Sequence, residues 1–214
     1  MIRGLAALFI LLAGLGTAGA QSSYDQAFVD AFAEACVPGR LGYDSTRQAA
    51  LAAGWTETGR DDHAELDAVM AVSDAEIAAD PEFVSFSTAS FFTRDVAGSP
   101  HHVVVTHSGF IIEEGDDPWV LIGCHLYNFD ATAPVAPEPV TAFVGKPISN
   151  SAEQEGFVGH VWGPPCPLPR TGDVYLTFIG AQNDAARTTA FTGTTLNFST
   201  SVPDEGEEVP DTYC

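Results

Sequence analysis

The chain has 214 residues, of which 29 are acidic and 8 basic, for a formal charge of −21. Lys146 is the one lysine, and no run of Lys and Arg exists, which excludes recognition of a phosphate backbone or an anionic membrane surface. An apolar fraction of 45% argues against wholesale disorder and allows a single domain with a full core.

The first element is a leader. Met1-Ile2-Arg3 is a short basic start, Gly4 to Gly16 is uncharged and mostly apolar, and Ala18-Gly19-Ala20 is the small-residue pattern that signal peptidase reads. The run is too short for a membrane span, which needs about 20 apolar residues. No Cys stands at the cleavage point, so a lipid anchor is not expected. The reading is a signal peptide over 1–20 and a periplasmic or secreted protein that starts at Gln21. Gly14-Leu15-Gly16-Thr17-Ala18-Gly19 matches the dinucleotide fingerprint by letter only, because no strand precedes it and no βαβ unit follows.

Next, Phe28, Phe32 and Cys36 recur at i, i+4 and i+8, which predicts a helix over 24–37 with one apolar face, stopped by Pro38-Gly39. Asp44 or Ser45 caps a second helix through Ala53, ended by Gly54. Asp62-His63-Ala64-Glu65 reads as a capping box for a third helix to about Ala71. Ser73-Asp74-Ala75-Glu76 repeats the device for a short fourth, stopped by Asp80-Pro81. From residue 83 the pattern changes to strands, at 83–93, 101–112 and 119–129. A Pro-rich link leads to a short helix near 140–144. Further strands follow at 157–162, 174–179 and 187–202. The boundaries are one domain over 21–202 and an acidic tail over 203–214 tied back through Cys214.

Helices first and strands after predict an α+β fold, with N-terminal helices packed on one face of an antiparallel sheet. Four cysteines in an exported chain read as two disulfides, and spacing alone leaves three connectivities open. Cys36 lies on the apolar face of the first helix. Val120, Ile122, Cys124 and Leu126 share one face of the third strand. Those faces are the natural ones to meet, so Cys36–Cys124 is the favoured staple, with Cys166–Cys214 as the second.

The candidate chemistry rests on histidines. His101 and His107 share one face of a strand, with His102 on the other, and one hairpin register would set His107 opposite His125 on the face away from Cys124. His101, His107 and His125 are thus weak candidates for a metal site, although no H-x-H or H-E-x-x-H spacing supports them. His63 sits at a helix start and His160 on a later strand. No G-x-S-x-G elbow is present. The acids at 113–117 lack EF-hand spacing and fit a turn. Asn197-Phe198-Ser199 is a glycosylation sequon inside a strand pattern. No catalytic residue and no cofactor is assigned.

Phe32-x-x-x-Cys36, the alanine-rich helix Gln48 to Ala53 ending in Gly54-Trp55, the later Cys124, and the helix closed by Gly145-Lys146-Pro147 carry a resemblance. Over about half its length the chain resembles an uncharacterised family of small exported proteins of Gram-negative bacteria. The resemblance implies a periplasmic α+β domain and supplies no activity; Cys166, Cys214 and the acidic tail lie outside it. The expected function is a non-catalytic accessory or binding module of the cell envelope, whose partner is an envelope protein or a cation. The competing expectation is a metal-binding protein or a metal-dependent or serine hydrolase built on the strand histidines.

Overall fold

The computed structural model describes residues 17–80, 82–113, 115 and 117–212, with side chains from residue 21 onward. Residues 1–16, most of the expected leader, and Cys214 lie outside this set. The helices are α1 (Thr17–Cys36), α2 (Tyr43–Ala52), α3 (Ala64–Ala79), α4 (Pro137–Val144) and α5 (Asp184–Thr189). The strands are β1 (Thr56–Thr58), β2 (Val84–Val96), β3 (Ser99–Phe110), β4 (Trp119–Asn128), β5 (Asn150–Gln154), β6 (Phe157–Trp162), β7 (Val174–Ile179) and β8 (Gly193–Ser201). All eight form one antiparallel sheet in the order β1-β2-β3-β4-β8-β7-β6-β5. The α+β expectation therefore holds.

Two-residue alternation divides the sheet into two faces. On the first, Val103, Val105, Cys124, Leu126, Leu196 and Phe198 are buried against Phe28, Phe32, Ala35 and Cys36 of α1 and Val140 and Val144 of α4. The Cys36–Cys124 disulfide closes this contact, with Cα atoms 5.7 Å apart. Arg94 ties the neighbouring layer together: its guanidinium lies 4.7 Å from the Trp55 ring and donates to the Ala53 carbonyl of the α2 end. Trp162 Nε1 donates to Thr141 Oγ1 at 3.0 Å and fixes α4 over β6.

The helices after residue 60 depart from the expectation in two ways. The third and fourth expected helices are one continuous α3, because no Gly or Pro interrupts Ala71-Val72-Ser73 and a Ser in a helix interior costs only tenths of a kcal/mol. The capping acid acts one turn earlier: Asp62 Oδ2 accepts from Gly59 N at 2.7 Å and from Thr58 Oγ1. Furthermore, α3 lies over the second face of the sheet, where Leu66 packs with Val104, Tyr127, Phe129, Ile179 and Phe191. The strands β1 and β5 are also additions, each short and polar enough to escape a periodicity reading, and the expected strand over 187–202 begins only at Gly193 because Asp184–Thr189, capped by Asn183, is the helix α5.

Turn chemistry sets the β2–β3 register. Ala97 and Gly98 both have positive φ, 49° and 88°, as a two-residue hairpin loop requires. Pro100 then sits in β3 beyond the end of β4, whose pairing stops at His102↔Tyr127, so its missing N–H breaks no second ladder. At the C-terminus, Arg170 donates to Glu207 Oε2 at 2.6 Å and Thr212 donates to the Cys166 carbonyl at 3.1 Å, holding the acidic tail against the 164–172 loop. Cys166 is disulfide-bonded.

Candidate functional site

His101, His107 and His125 do not converge. The observed β3–β4 register sets His107 opposite Ile122 and His125 opposite Val104, so His107 and His125 lie on opposite faces of the sheet. The register with His107 facing His125 would drive Val103 and Val105 out of step with Leu126 and Cys124, their buried partners, and the core excludes it. Among the described residues no three His, Cys, Asp or Glu side chains are grouped so that they could hold a metal ion.

Each first-face histidine has a packing role. His101 is fully buried in a chain of hydrogen bonds: Asn128 Nδ2 donates to the Tyr24 hydroxyl at 2.6 Å, that hydroxyl donates to His101 Nε2 at 3.1 Å, and His101 Nδ1–H donates to the Ser99 carbonyl at 2.9 Å. Burial lowers the His101 pKa and raises that of Tyr24, so both stay neutral near pH 7. Replacing Tyr24 with Phe would orphan His101 Nε2 and an Asn128 N–H. Denaturant unfolding should show a loss of about 2 kcal/mol with an unchanged m-value. His107 is half-buried and stacks on Tyr43 of α2, at 5.3 Å between ring centres and 22° between planes, with Phe86 edge-on at 4.9 Å. His160 pairs across the β5–β6 ladder with Ser151, Oγ to Nδ1 2.9 Å. Among the described residues no carboxylate orients the far nitrogen of that ring, and a nucleophile–base pair without its orienting group is incomplete as acyl-transfer machinery.

The second face holds the groups with no such explanation. His125, Tyr127 and Phe129 form a ladder along β4, with Tyr127 nearly parallel to both neighbours at 6.1 and 5.3 Å. His63, the residue before α3, stacks on Phe129 at 4.7 Å and lies 4.8 Å from the ring of His102. The Nδ1 atoms of His63 and His102 are both buried without a hydrogen-bond partner. Burial, then the charges of His63 and His101, push His102 down to about 4; burial alone pushes His125 down to about 4. Strand parity could place His102 on this face. Nothing local to Asp62-His63-Ala64 indicates that the chain crosses there to bring His63 onto it.

Below His63, α3 bridges a cavity of about 520 Å³. Leu66 is the buried residue of α3, and its second half spans the opening instead of packing on the sheet. Met70, Ser73, Asp74 and Ile77, at helical spacing, form the roof. Ala89, Phe91, Phe110 and Phe83 form apolar walls; Ser87, Ser108, Thr106 and His125 supply the polar floor. Gly123 makes room for the last two, since a Cβ there would stand 2.3 Å from Thr106 Oγ1 and 3.0 Å from His125 Nε2. Ser87 and Ser108 hydrogen-bond each other at 3.0 Å, and His125 makes no hydrogen bond with a described residue; its exposed part faces the cavity. At the rim Arg60 binds Asp67 and Asp74, each at 2.7 Å, strapping α3 to the preceding turn. Glu76 and Asp80 add unpaired negative charge. A water-sized site this does not resemble: the volume and the mix of apolar walls with a few convergent polar groups are those of a small-molecule pocket.

The fold and the pocket define a disulfide-stapled α+β domain with helices on both faces of its sheet and a half-open pocket beneath one of them. No protein-family model, curated protein or solved structure matches the chain. No helix among the described residues is long and apolar enough to cross a membrane.

Proposed function

We propose that this protein is an exported, non-catalytic binding domain of the bacterial cell envelope, and that it holds a small ligand with an apolar body in the cavity between α3 and the second sheet face. The cavity carries this reading. Its walls are apolar, its floor offers Thr106 and the unbonded imidazole of His125, and its rim is acidic. Such a pocket favours a neutral or cationic head over an anionic one. The leader pattern, the core disulfide and the resemblance to small exported Gram-negative proteins support the compartment. A metal-binding or hydrolytic reading based on His101, His107 and His125 loses its basis with their separation onto two faces.

The test uses the neutral apolar fluorophore N-phenyl-1-naphthylamine. Its emission should rise on addition of the wild-type protein. Dodecyltrimethylammonium should displace it at lower concentration than dodecyl sulfate, both below their micellar range. Ala89→Trp fills the cavity from β2 and should weaken probe binding by about tenfold or more while the circular dichroism spectrum is kept. Undiminished binding by a folded Ala89→Trp protein, or no emission change with wild type, would overturn the reading.

A further inference from the structure

Six large apolar side chains are exposed among the described residues, and three of them, Phe83, Ile112 and Trp119, lie at one corner of the sheet. The register brings them together. Ile111 N donates to the Phe83 carbonyl at 2.8 Å, and Trp119 lies opposite Phe110, whose ring is 5.3 Å from Phe83; Phe86 packs over Gly109 and His107 on the other face. Ile112 is 63% exposed and Trp119 50%. Large side chains left this bare, and contiguous, mark an interaction surface more often than chance.

The charges around the corner specify the partner. Asp80, Glu82 and Glu113 border a shallow hollow whose apolar part is Phe83, Ile111 and Ile112, and Asp117 follows on the approach to β4. None of these four carboxylates is paired with a described Lys or Arg. Arg60, the cation of the adjoining cavity rim, is engaged by Asp67 and Asp74. A bare apolar corner bordered by unpaired carboxylates repels anionic headgroups and attracts basic residues set among apolar ones. Like charge works against a second copy of the chain, since each carries −21 and a single lysine.

We infer that the corner formed by Phe83, Ile112 and Trp119 is a docking surface for a basic amphipathic segment of another protein. This holds whether or not the neighbouring cavity binds a ligand. The apolar face of the segment covers the aromatic and aliphatic side chains, and its Lys or Arg residues meet Asp80, Glu82, Glu113 and Asp117.

The probe is a synthetic amphipathic helix of Leu and Lys, titrated against the full-length mature protein. Trp55 and Trp162 are buried, so a blue shift on binding reports Trp119. Two charge-matched variants decide the location. Glu82→Lys/Glu113→Lys alters the corner, while Glu205→Lys/Glu208→Lys makes the same net change in the tail. The corner variant should weaken binding by tenfold or more and the tail variant by less than about threefold. Ile112→Ser should lower affinity without changing the salt dependence. Equal weakening by both charge variants would mean that the peptide senses net charge alone, and would overturn the proposal. So would a Trp119 shift with phosphatidylcholine vesicles and none with the peptide, which would assign the corner to a lipid surface.

Discussion

Replacing Cys36 and Cys124 with Ala is expected to bring the domain to the edge of unfolding. The bridge joins α1 to a central strand across 88 residues. Chain-entropy reasoning assigns a loop of that size ~4–5 kcal/mol, with engineered bridges often delivering less. Both sulfurs are buried, Cys36 at 0% and Cys124 at 1% exposure, so the substitution also leaves a void between Phe32 and the sheet. Set against a typical total of 5–15 kcal/mol, the loss consumes most of the margin. Replacing Cys166 and Cys214 should cost less. Cys166 sits in a loop whose tail contacts, Arg170–Glu207 and Thr212 to the Cys166 carbonyl, survive the change. Differential scanning calorimetry of the two double variants checks the order. Equal melting temperatures would mean that the tail belongs to the core.

Acidification is the second large perturbation. His102 and His125 are each held down to about 4 in the folded protein against an ordinary 6.5. A basic group with a lowered folded pKa binds more protons when unfolded, so stability rises with pH across the window between the two values. The folded state should therefore be at full strength above pH 6.5, weaken as pH falls from 6.5 to 4, and lose no more from these groups below 4. Each contributes about 3 kcal/mol to that loss at most. His102 has the harsher surroundings, because protonation there places a cation 4.8 Å from His63, with His101 adjacent in the strand and Asp130 the one opposing charge. Asp62, held below the usual carboxylate range by Thr58 and the Gly59 amide, acts only under pH 4 and is separable. Urea melts at pH 7, 5.5 and 4 should show the decline, and His102→Leu should flatten it by about half. A pH-independent midpoint between 7 and 4 would refute the assignment of two imidazoles held neutral by their surroundings.

The local half of this structure was legible in the residues. Phe28, Phe32 and Cys36 on one helical stripe, and Ile122, Cys124 and Leu126 on one strand face, implied the helix-to-sheet core and its staple, because a 3.6-residue and a two-residue period each fix which side chains share a side. The candidate site was not legible in the same way. Parity separated His125 from Cys124 and His102 from His101 and His107, but which of these face one another across the two strands depends on register. The buried pairs Val103–Leu126 and Val105–Cys124 settled that, and moved His107 away from His125. That α3 runs unbroken through Ser73, and that it covers the second face and arches over a cavity there, followed from the path of the chain near residue 60, where Arg60 clamps two acids of the helix. Periodicity is a property of neighbours along the chain and is written in the sequence. The face a helix covers, and the histidines that meet beneath it, depend on contacts between residues as far apart as His63 and Phe129, and only the packed fold makes those.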